Sequence, residues 1–276
     1  MLSSIAWLLL IIVAAPAQAL LSAPKSELWE RWTAHDETST ATVDHSDWTR
    51  FLADYLEKSP DGINRMRYAD VNAADRERLD GYIAKLTSTA ISNYRRAEQL
   101  PYWINFYNAL TLKIVLDHYP VKSIQDIDIS PGLFSSGPWD KKLVTVEDEN
   151  LSLNDIEHRI LRPIWKDPRV HYAVNCASIG CPNLMPQAFT AENTETLLEQ
   201  GARDYINHPR GVEIVDGKPV TSKIYDWFKG DFGNNDEEVL AHLRRYAEPA
   251  LREKLNGISR LNGHRYDWML NGVAGE

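Results

Sequence analysis

Apolar residues recur with helical spacing along the first part of the chain. The pattern predicts one helix that begins near the N-cap residue Ser46 and another that begins after Asn72, with the loop 59–62 between them. Their apolar faces consist of Trp48, Phe51, Leu52, Tyr55 and Leu56 in the first helix and of Leu79, Tyr82, Ile83 and Leu86 in the second. Both helices therefore have one face suited to a hydrophobic core.

A third predicted helix, from Tyr102 to Tyr119, is apolar on nearly all sides and ends at Pro120. A helix of this kind lies inside a domain. Asn105 and Asn108 are three residues apart and share a face that we expect to be buried. Because buried amides need hydrogen-bond partners, these two side chains are candidates for a structural or a functional role.

The second half of the chain mixes strand and helix patterns. We predict strands at 143–146, 170–175 and 266–269, and a hairpin at 212–220 with Asp216 and Gly217 as its two-residue turn. Helices are predicted after Ser152, after Thr190 and over 237–246. Helices followed by a mainly antiparallel sheet define an α+β fold, in which the N-terminal helices and the buried central helix pack on that sheet. No linker is evident, so we predict one domain over residues 20–276.

The N-terminus has the pattern of a signal peptide. Residues 5–15 are uninterrupted and apolar, and Ala17-Gln18-Ala19 is a small-x-small cleavage site. The run is shorter than the roughly 20 residues that a membrane span requires. We therefore expect a signal peptide at 1–19, no membrane span in the mature chain and a periplasmic or secreted protein. An uncleaved anchor is the alternative.

Composition and the motifs that are missing exclude several classes of function. The 276 residues are 43% hydrophobic and 25% charged, with a formal net charge of -9, which is typical of a globular protein. No basic stripe suggests nucleic-acid binding. Phosphate-loop, dinucleotide and serine-hydrolase motifs are missing from the sequence, and its histidines and cysteines lack the usual zinc spacings. We therefore expect no cofactor and no metal, and metal-dependent hydrolysis is only a third alternative.

Residues 171–182 hold both cysteines of the chain, which leaves open a nucleophilic thiol, a structural disulfide or a pair of inert buried thiols. In the first, Cys176 is a nucleophile whose pKa a neighbouring histidine lowers. His171 is close in sequence, but strand alternation would place it on the opposite face, so His158 is an equally good base. In the second, Cys176 and Cys181 form a structural disulfide, as is common in oxidising compartments.

Several ordered blocks of the chain resemble the family called domain of unknown function 547. They are 102–110, 153–158, 171–176 with Cys181-Pro182, 222–228 with Asp231-Phe232, and 266–271. The resemblance covers about residues 95–271 and directs attention to the motif positions Asn105, Asn108, Glu157, His158, His171, Asn175 and Cys176. In this family's pattern the second cysteine is lost more readily than the first, which favours a thiol-centred site.

The leading expectation is thus a thiol-dependent hydrolase or acyl-transfer enzyme that acts on a peptide, envelope or small-molecule substrate. Cys176 attacks, His158 or His171 accepts its proton, and Asn105 or Asn175 stabilises the oxyanion, with Glu157 as a further site residue. The alternative is a non-catalytic cell-envelope binding or scaffold module with a Cys176–Cys181 disulfide.

The signal-peptide interpretation predicts that the exported protein begins at Leu20, because cleavage follows Ala19. N-terminal sequencing of protein purified from the periplasm or medium measures this directly. Recovery of the chain in the membrane fraction with Met1 retained would contradict it.

Overall fold

The computed structural model describes residues 23–132 and 137–273. The predicted signal peptide lies outside these residues. Helices α1 to α9 of the described chain are Ser46–Tyr55, Ala73–Thr87, Arg96–His118, Arg162–Trp165, Thr194–Ile206, Ile224–Trp227, Lys229–Phe232, Asp236–Tyr246 and Pro249–Leu255. Strands β1 to β7 are Leu56–Lys58, Asn64–Met66, Val144–Val146, Glu149–Leu151, Val212–Val215, Lys218–Ser222 and Gly263–Arg265. The α+β class is confirmed.

The strands form three small sheets. β1 pairs with β2 and β3 pairs with β4, both antiparallel. The third sheet has the order β5-β6-β7, with an antiparallel hairpin β5–β6 and a parallel pair β6–β7. Asp216 and Gly217 form the hairpin turn with positive φ at both positions, as predicted.

Helix α3 is the centre of the larger of two hydrophobic cores. Every residue from Pro101 to Leu112 is buried. The helix begins six residues before the predicted start and continues through Pro101. Proline costs a helix one backbone hydrogen bond, and in this buried setting tertiary packing outweighs that loss. The predicted end before Pro120 is confirmed.

The smaller core is built around α5, α8 and α9. The 3-10 helix Pro168–Tyr172 lies between the cores, because Val170 packs in the larger one and Tyr172 in the smaller one. The chain that follows, with both cysteines, starts at this junction. Clefts between packed units are frequent positions of functional sites.

Two predicted strands are wrong. Residues 170–175 form part of the 3-10 helix and a turn, and residues 266–269 lie outside any strand. A short, fully buried apolar run does not distinguish a strand from a buried helical segment. The segment 266–270 nevertheless pairs with the cysteine-bearing loop, since Leu270 and Ser178 form an isolated antiparallel bridge.

Buried asparagines connect α3 to the irregular loops of the core. The Asn105 amide donates to the Phe189 carbonyl at 2.7 Å, and its oxygen accepts from the Phe189 N–H at 3.0 Å. Asn108 donates to the Ala173 carbonyl at 2.9 Å and accepts from the Asn175 N–H at 2.8 Å. Each amide therefore satisfies both a donor and an acceptor of a buried loop backbone.

We predict that Asn105→Leu lowers the free energy of unfolding by about 2–4 kcal/mol, because the N–H and the carbonyl of Phe189 both lose a partner. Denaturant unfolding measures the change. Asn262→Leu is the matched control, because the Asn262 side chain is exposed and its replacement should change stability by less than about 0.5 kcal/mol. Equal effects of the two variants would show that the Asn105 hydrogen bonds contribute nothing.

Candidate functional site

The cysteine loop, residues 175–182, is held in shape by Asn175. Its side-chain oxygen accepts from the Ala177 N–H at 2.8 Å, and its amide donates to the Pro182 carbonyl at 2.7 Å. The first bond is an Asx turn, and Ala177 has a φ of 59° within it. A non-glycine residue with this φ is uncommon, and such residues cluster at functional sites.

The loop also packs closely against the chain at 266–270. The N–H of Ile179 donates to the Met269 carbonyl and that of Gly180 to the Asp267 carbonyl, both at 2.8 Å. A Cβ on Gly180 would lie 2.8 Å from backbone atoms of Asp267, so only glycine fits there. Both cysteines are thus fixed relative to the side chain of Tyr266.

The two thiols face each other. The Sγ atoms of Cys176 and Cys181 are 2.8 Å apart, and both cysteines are free in the structure. Cys176 Sγ also contacts the Tyr266 hydroxyl at 3.1 Å and the Ser178 hydroxyl at 3.3 Å. Cys176 is partly exposed, whereas Cys181 is only 5% exposed. Cys176 is therefore the more exposed cysteine of the pair.

The thiols differ in acidity. Burial raises the pKa of Cys176, and its hydrogen bond with Cys181 raises it further. Burial alone would also raise the pKa of Cys181, but hydrogen bonds from the Cys176 thiol, the Tyr266 hydroxyl and the Cys176 N–H outweigh it and lower that pKa. The Cys176 N–H lies 2.9 Å from Cys181 Sγ. The negative charge of the pair is thus placed on Cys181, with Cys176 as its thiol donor.

A separate ionic cluster consists of five buried or half-buried side chains: Glu157, His158, Arg162, His171 and Asp231. His171 lies between two carboxylates, 2.7 Å from Asp231 through Nε2 and 3.6 Å from Glu157 through Nδ1. Arg162 donates to Asp231 at 2.5 Å and contacts His158 Nδ1 at 2.9 Å. The ring of Phe228 stacks on His171 with centroids 4.4 Å apart.

Opposing effects set the charges of this cluster. Burial would lower the pKa of His171, but hydrogen bonds to Asp231 and Glu157 raise it above the ordinary value. Burial lowers the pKa of His158 to about 4, so it is neutral at pH 7. Burial would raise the pKa of Glu157, but the neighbouring histidines and Arg162 lower it to about 2. The raised pKa favours the imidazolium form of His171, which together with Arg162 balances the two carboxylates.

A stretch of π-helix brings Glu157 and His158 into the same cluster. Residues Asp155–Leu161 have π-helical hydrogen bonding, which includes a bond from the Arg162 N–H to the Glu157 carbonyl. Adjacent residues of a regular α-helix point in different directions, whereas here Glu157 and His158 lie 3.9 Å apart. Such widened turns occur frequently at functional sites.

The N-terminal segment covers this cluster. The Pro24 carbonyl accepts from Arg162 Nη1 at 2.9 Å, and the Glu27 N–H donates to the His158 carbonyl at 3.0 Å. Trp29 lies under the Arg159 guanidinium at 4.3 Å. The cluster is therefore closed from this side by residues that directly follow the predicted signal peptide.

The structure separates residues that the sequence suggested would act together. Among the described residues, the side-chain partners of Cys176 Sγ are Ser178, Cys181 and Tyr266, and neither His158 nor His171 contacts it. The raised pKa of Cys176 is opposite to the lowered value that a histidine-activated nucleophile requires. The expected pairing of Cys176 with a histidine base is therefore not formed.

The expected oxyanion donors each hold a loop in place. The side-chain amides of Asn105 and Asn175 donate to the carbonyls of Phe189 and Pro182. Their geometry makes both of them supports for buried loops, like Asn108.

The sequence interpretation also did not assign four residues that complete the two clusters: Arg162, Ser178, Asp231 and Tyr266. Asp231 and Tyr266 lie in blocks of the family resemblance, but no spacing relates them to residues 60 or more positions away. Arg162 follows His158 by four residues on a predicted helix, and this spacing indicates that the two side chains are neighbours.

Concave surfaces of the described chain lie elsewhere. One cleft of about 560 Å³ is lined by residues of α1 and its start, including His45, Thr49 and Arg50. Another of about 340 Å³ lies between the start of α3 and α5. Neither includes a member of the thiol pair or the ionic cluster. The thiol pair and the ionic cluster, in contrast, bring reactive side chains into direct contact.

Within residues 23–132 and 137–273, no group of three or more His, Cys, Asp or Glu side chains has an arrangement that could hold a metal ion. None of the helices in this part of the chain is long and apolar enough to cross a membrane.

Residues 91–206 match the family model described as protein of unknown function, DUF547. This segment, which is similar to that family, contains α3, the π-helical stretch, His171 and both cysteines. The resemblance seen in the sequence is thus confirmed, and the blocks after residue 222 lie beyond the match. Comparisons with curated proteins and with solved structures find no match.

The charges of the ionic cluster predict that replacing Asp231 changes how the stability of the protein depends on pH. Because the fold raises the pKa of His171, its protonated form stabilises the protein below about pH 6.5, and this contribution is lost as the pH rises through the raised pKa. Asp231→Asn removes one carboxylate and should lower that pKa. The loss of stability then occurs at lower pH.

Histidine NMR titration and unfolding free energies between pH 6 and pH 9 measure both effects. Asp204→Asn, which changes an exposed carboxylate on α5, is the control and should leave the His171 titration unchanged. An identical His171 pKa in wild type and Asp231→Asn would show that the 2.7 Å contact between His171 and Asp231 does not raise the pKa of His171.

Proposed function

We propose that this protein carries out thiol–disulfide exchange with the pair Cys176 and Cys181. The observation that carries the proposal is the 2.8 Å separation of the two Sγ atoms. A disulfide bond is about 2.05 Å long, so the bond forms with a relative shift of less than about 1 Å. Ordinary rotamer adjustment within a fixed loop supplies a movement of that size.

The exchange begins at the partly exposed cysteine. Cys176 Sγ attacks one sulfur of a substrate disulfide, a mixed disulfide forms, and the other substrate sulfur leaves as a thiolate. Cys181 then gives its proton to that thiolate and attacks Cys176 Sγ, which closes the Cys176–Cys181 disulfide and releases the second substrate sulfur as a thiolate. The protein loses two electrons and becomes a disulfide, and the substrate disulfide gains them and becomes two thiols. The reverse sequence oxidises a substrate dithiol.

Cys181 supplies the base that the histidines do not. Its lowered pKa makes it the thiolate of the pair, and the Cys176 thiol donates to it. Transfer of that one proton makes Cys176 the nucleophile at the moment of attack. The Tyr266 and Ser178 hydroxyls can donate to the resulting Cys176 thiolate at 3.1 and 3.3 Å.

The same proposal places the protein outside the cytoplasm. The predicted signal peptide at 1–19 supports this location, and disulfide chemistry persists in periplasmic and extracellular compartments.

Acyl transfer by Cys176 is the second candidate. The left-handed Ala177, with φ of 59°, follows Cys176 directly and is an uncommon conformation next to an exposed thiol. In this scheme Cys176 attacks a thioester or amide carbonyl and expels its thiol or amine. Cys181 then acts as the base and forms no bond.

Reaction of the reduced protein with the aromatic disulfide 5,5'-dithiobis(2-nitrobenzoate) distinguishes the two schemes. Wild type should release two equivalents of thionitrobenzoate and retain no label, because Cys181 resolves the mixed disulfide. Cys181→Ser should release one equivalent and retain one label at Cys176. Cys176→Ser should react slowly, since Cys181 is 5% exposed.

Absorbance and intact mass measure these outcomes, and circular dichroism checks that each variant is folded. A wild type that retains its label after one equivalent would overturn the exchange proposal. If wild type then hydrolyses a p-nitrophenyl thioester and Cys176→Ser does not, the acyl-transfer scheme replaces it.

A further inference from the structure

We propose that the surface beside Cys176 binds an extended polypeptide through apolar side chains next to its disulfide. This surface, the aromatic rim, consists of Trp227, Tyr266, Trp268 and Met269. The inference rests on the proposed exchange function and names its substrate class. It makes the disulfide of a protein chain, rather than a small hydrophilic disulfide, the preferred partner of Cys176.

The aromatic rim is continuous with the thiol pair. The Tyr266 hydroxyl contacts Cys176 Sγ at 3.1 Å and Ser178 Oγ at 3.0 Å. The Met269 carbonyl accepts from the Ile179 N–H at 2.8 Å, inside the cysteine loop. A substrate sulfur that approaches Cys176 therefore brings its flanking residues over this surface.

The rings of the rim form one connected group. Tyr266 lies 4.8 Å from Trp227 and 4.7 Å from Trp268, measured between ring centroids, and the two tryptophans are 5.6 Å apart. All three side chains are partly exposed. Trp227 packs against the smaller core and Trp268 against the larger one, so the group is fixed from both sides. Rigid aromatic side chains supply contact area at low entropic cost.

Met269 is the most exposed large hydrophobic residue of the described chain. It is 61% exposed, whereas Val215 and Leu28 are 41% and 40% exposed. Its own N–H is held by Asp267 Oδ1 at 2.9 Å, so its backbone is ordered while its side chain faces solvent. A flexible, exposed thioether that follows Trp268 directly in the chain suits apolar segments of varied sequence.

The side chains around the rim favour a polypeptide over a charged small molecule. Lys223 lies 5.9 Å above Trp227, and the neighbouring Asp226 is exposed. Charges of both signs at an apolar surface select for neither an anion nor a cation. The binding contribution must then come from apolar area, which a peptide flank provides and glutathione does not.

The experiment compares two mixed disulfides of glutathione, one with a cysteine peptide flanked by Leu and Phe and one with the same peptide flanked by Ser and Gly. Reduced wild type should exchange with the apolar peptide at least about tenfold faster, the size expected for burial of one large apolar side chain. Met269→Ser should lose most of that preference. Val215→Ser, which removes a similarly exposed apolar side chain from β5, is the matched control and should keep it.

Equal rates for the two peptides in wild type, or an unchanged preference in Met269→Ser, would overturn the inference. If neither peptide exchanges, the proposed function fails, and cysteine-free peptides then test the rim alone. Titration of Cys176→Ser by tryptophan fluorescence should show saturable binding of the apolar peptide, weakened about tenfold by adding Met269→Ser. No fluorescence change would overturn the aromatic rim as a binding surface.

Discussion

The cysteine loop exists in its observed form because side-chain amides satisfy its buried backbone. Residues 173–189 run through the protein with little regular structure, although most of them are buried. A buried loop without partners would leave many N–H and carbonyl groups unpaired, at about 1–3 kcal/mol each. Asn105, Asn108 and Asn175 supply such partners, and Asn108 connects the central helix directly to the residue before Cys176. The position of the thiols thus depends on amides in the core.

Local patterns in the sequence were sufficient to predict most of the helices and the β5–β6 hairpin. The two N-terminal helices, the end of α3 and the β5–β6 hairpin follow from periodicity and turn residues. Asn72 caps α2 as predicted through the Asp75 N–H at 3.0 Å, whereas the predicted cap Ser46 is the first residue of α1 and His45 is its N-cap. The helix predicted after Thr190 begins at Thr194, since Thr190 and Asn193 first form a turn. The strand predicted at 170–175 is wrong. When a segment is buried on all sides, its sequence lacks the polar alternation that would distinguish a strand from a helical segment.

The sequence correctly indicated that Asn105 and Asn108 are buried on one side of a helix, but it could not show what they bind. Their partners, Phe189 and the backbone at 173–175, lie 65 or more positions away. The grouping of His171 with Asp231 is likewise a contact across 60 positions. The π-helical turn that unites Glu157 with His158 depends on tertiary packing, and no propensity scale encodes it.

The ionic cluster and the thiol pair share no side chain, and this separation determines how each behaves. In a histidine-activated cysteine enzyme, the imidazole accepts the proton of the thiol. Here, His171 contacts two carboxylates and His158 contacts Arg162. In the proposed exchange, the thiols therefore pass a proton between themselves instead of to a histidine. Burial, and then the charges of Glu157 and both cysteines, raise the pKa of Tyr107, and the charge of Glu157 also opposes the lowering of the Cys181 pKa. The ionic cluster and the thiol pair are therefore close enough to interact electrostatically, although they share no side chain.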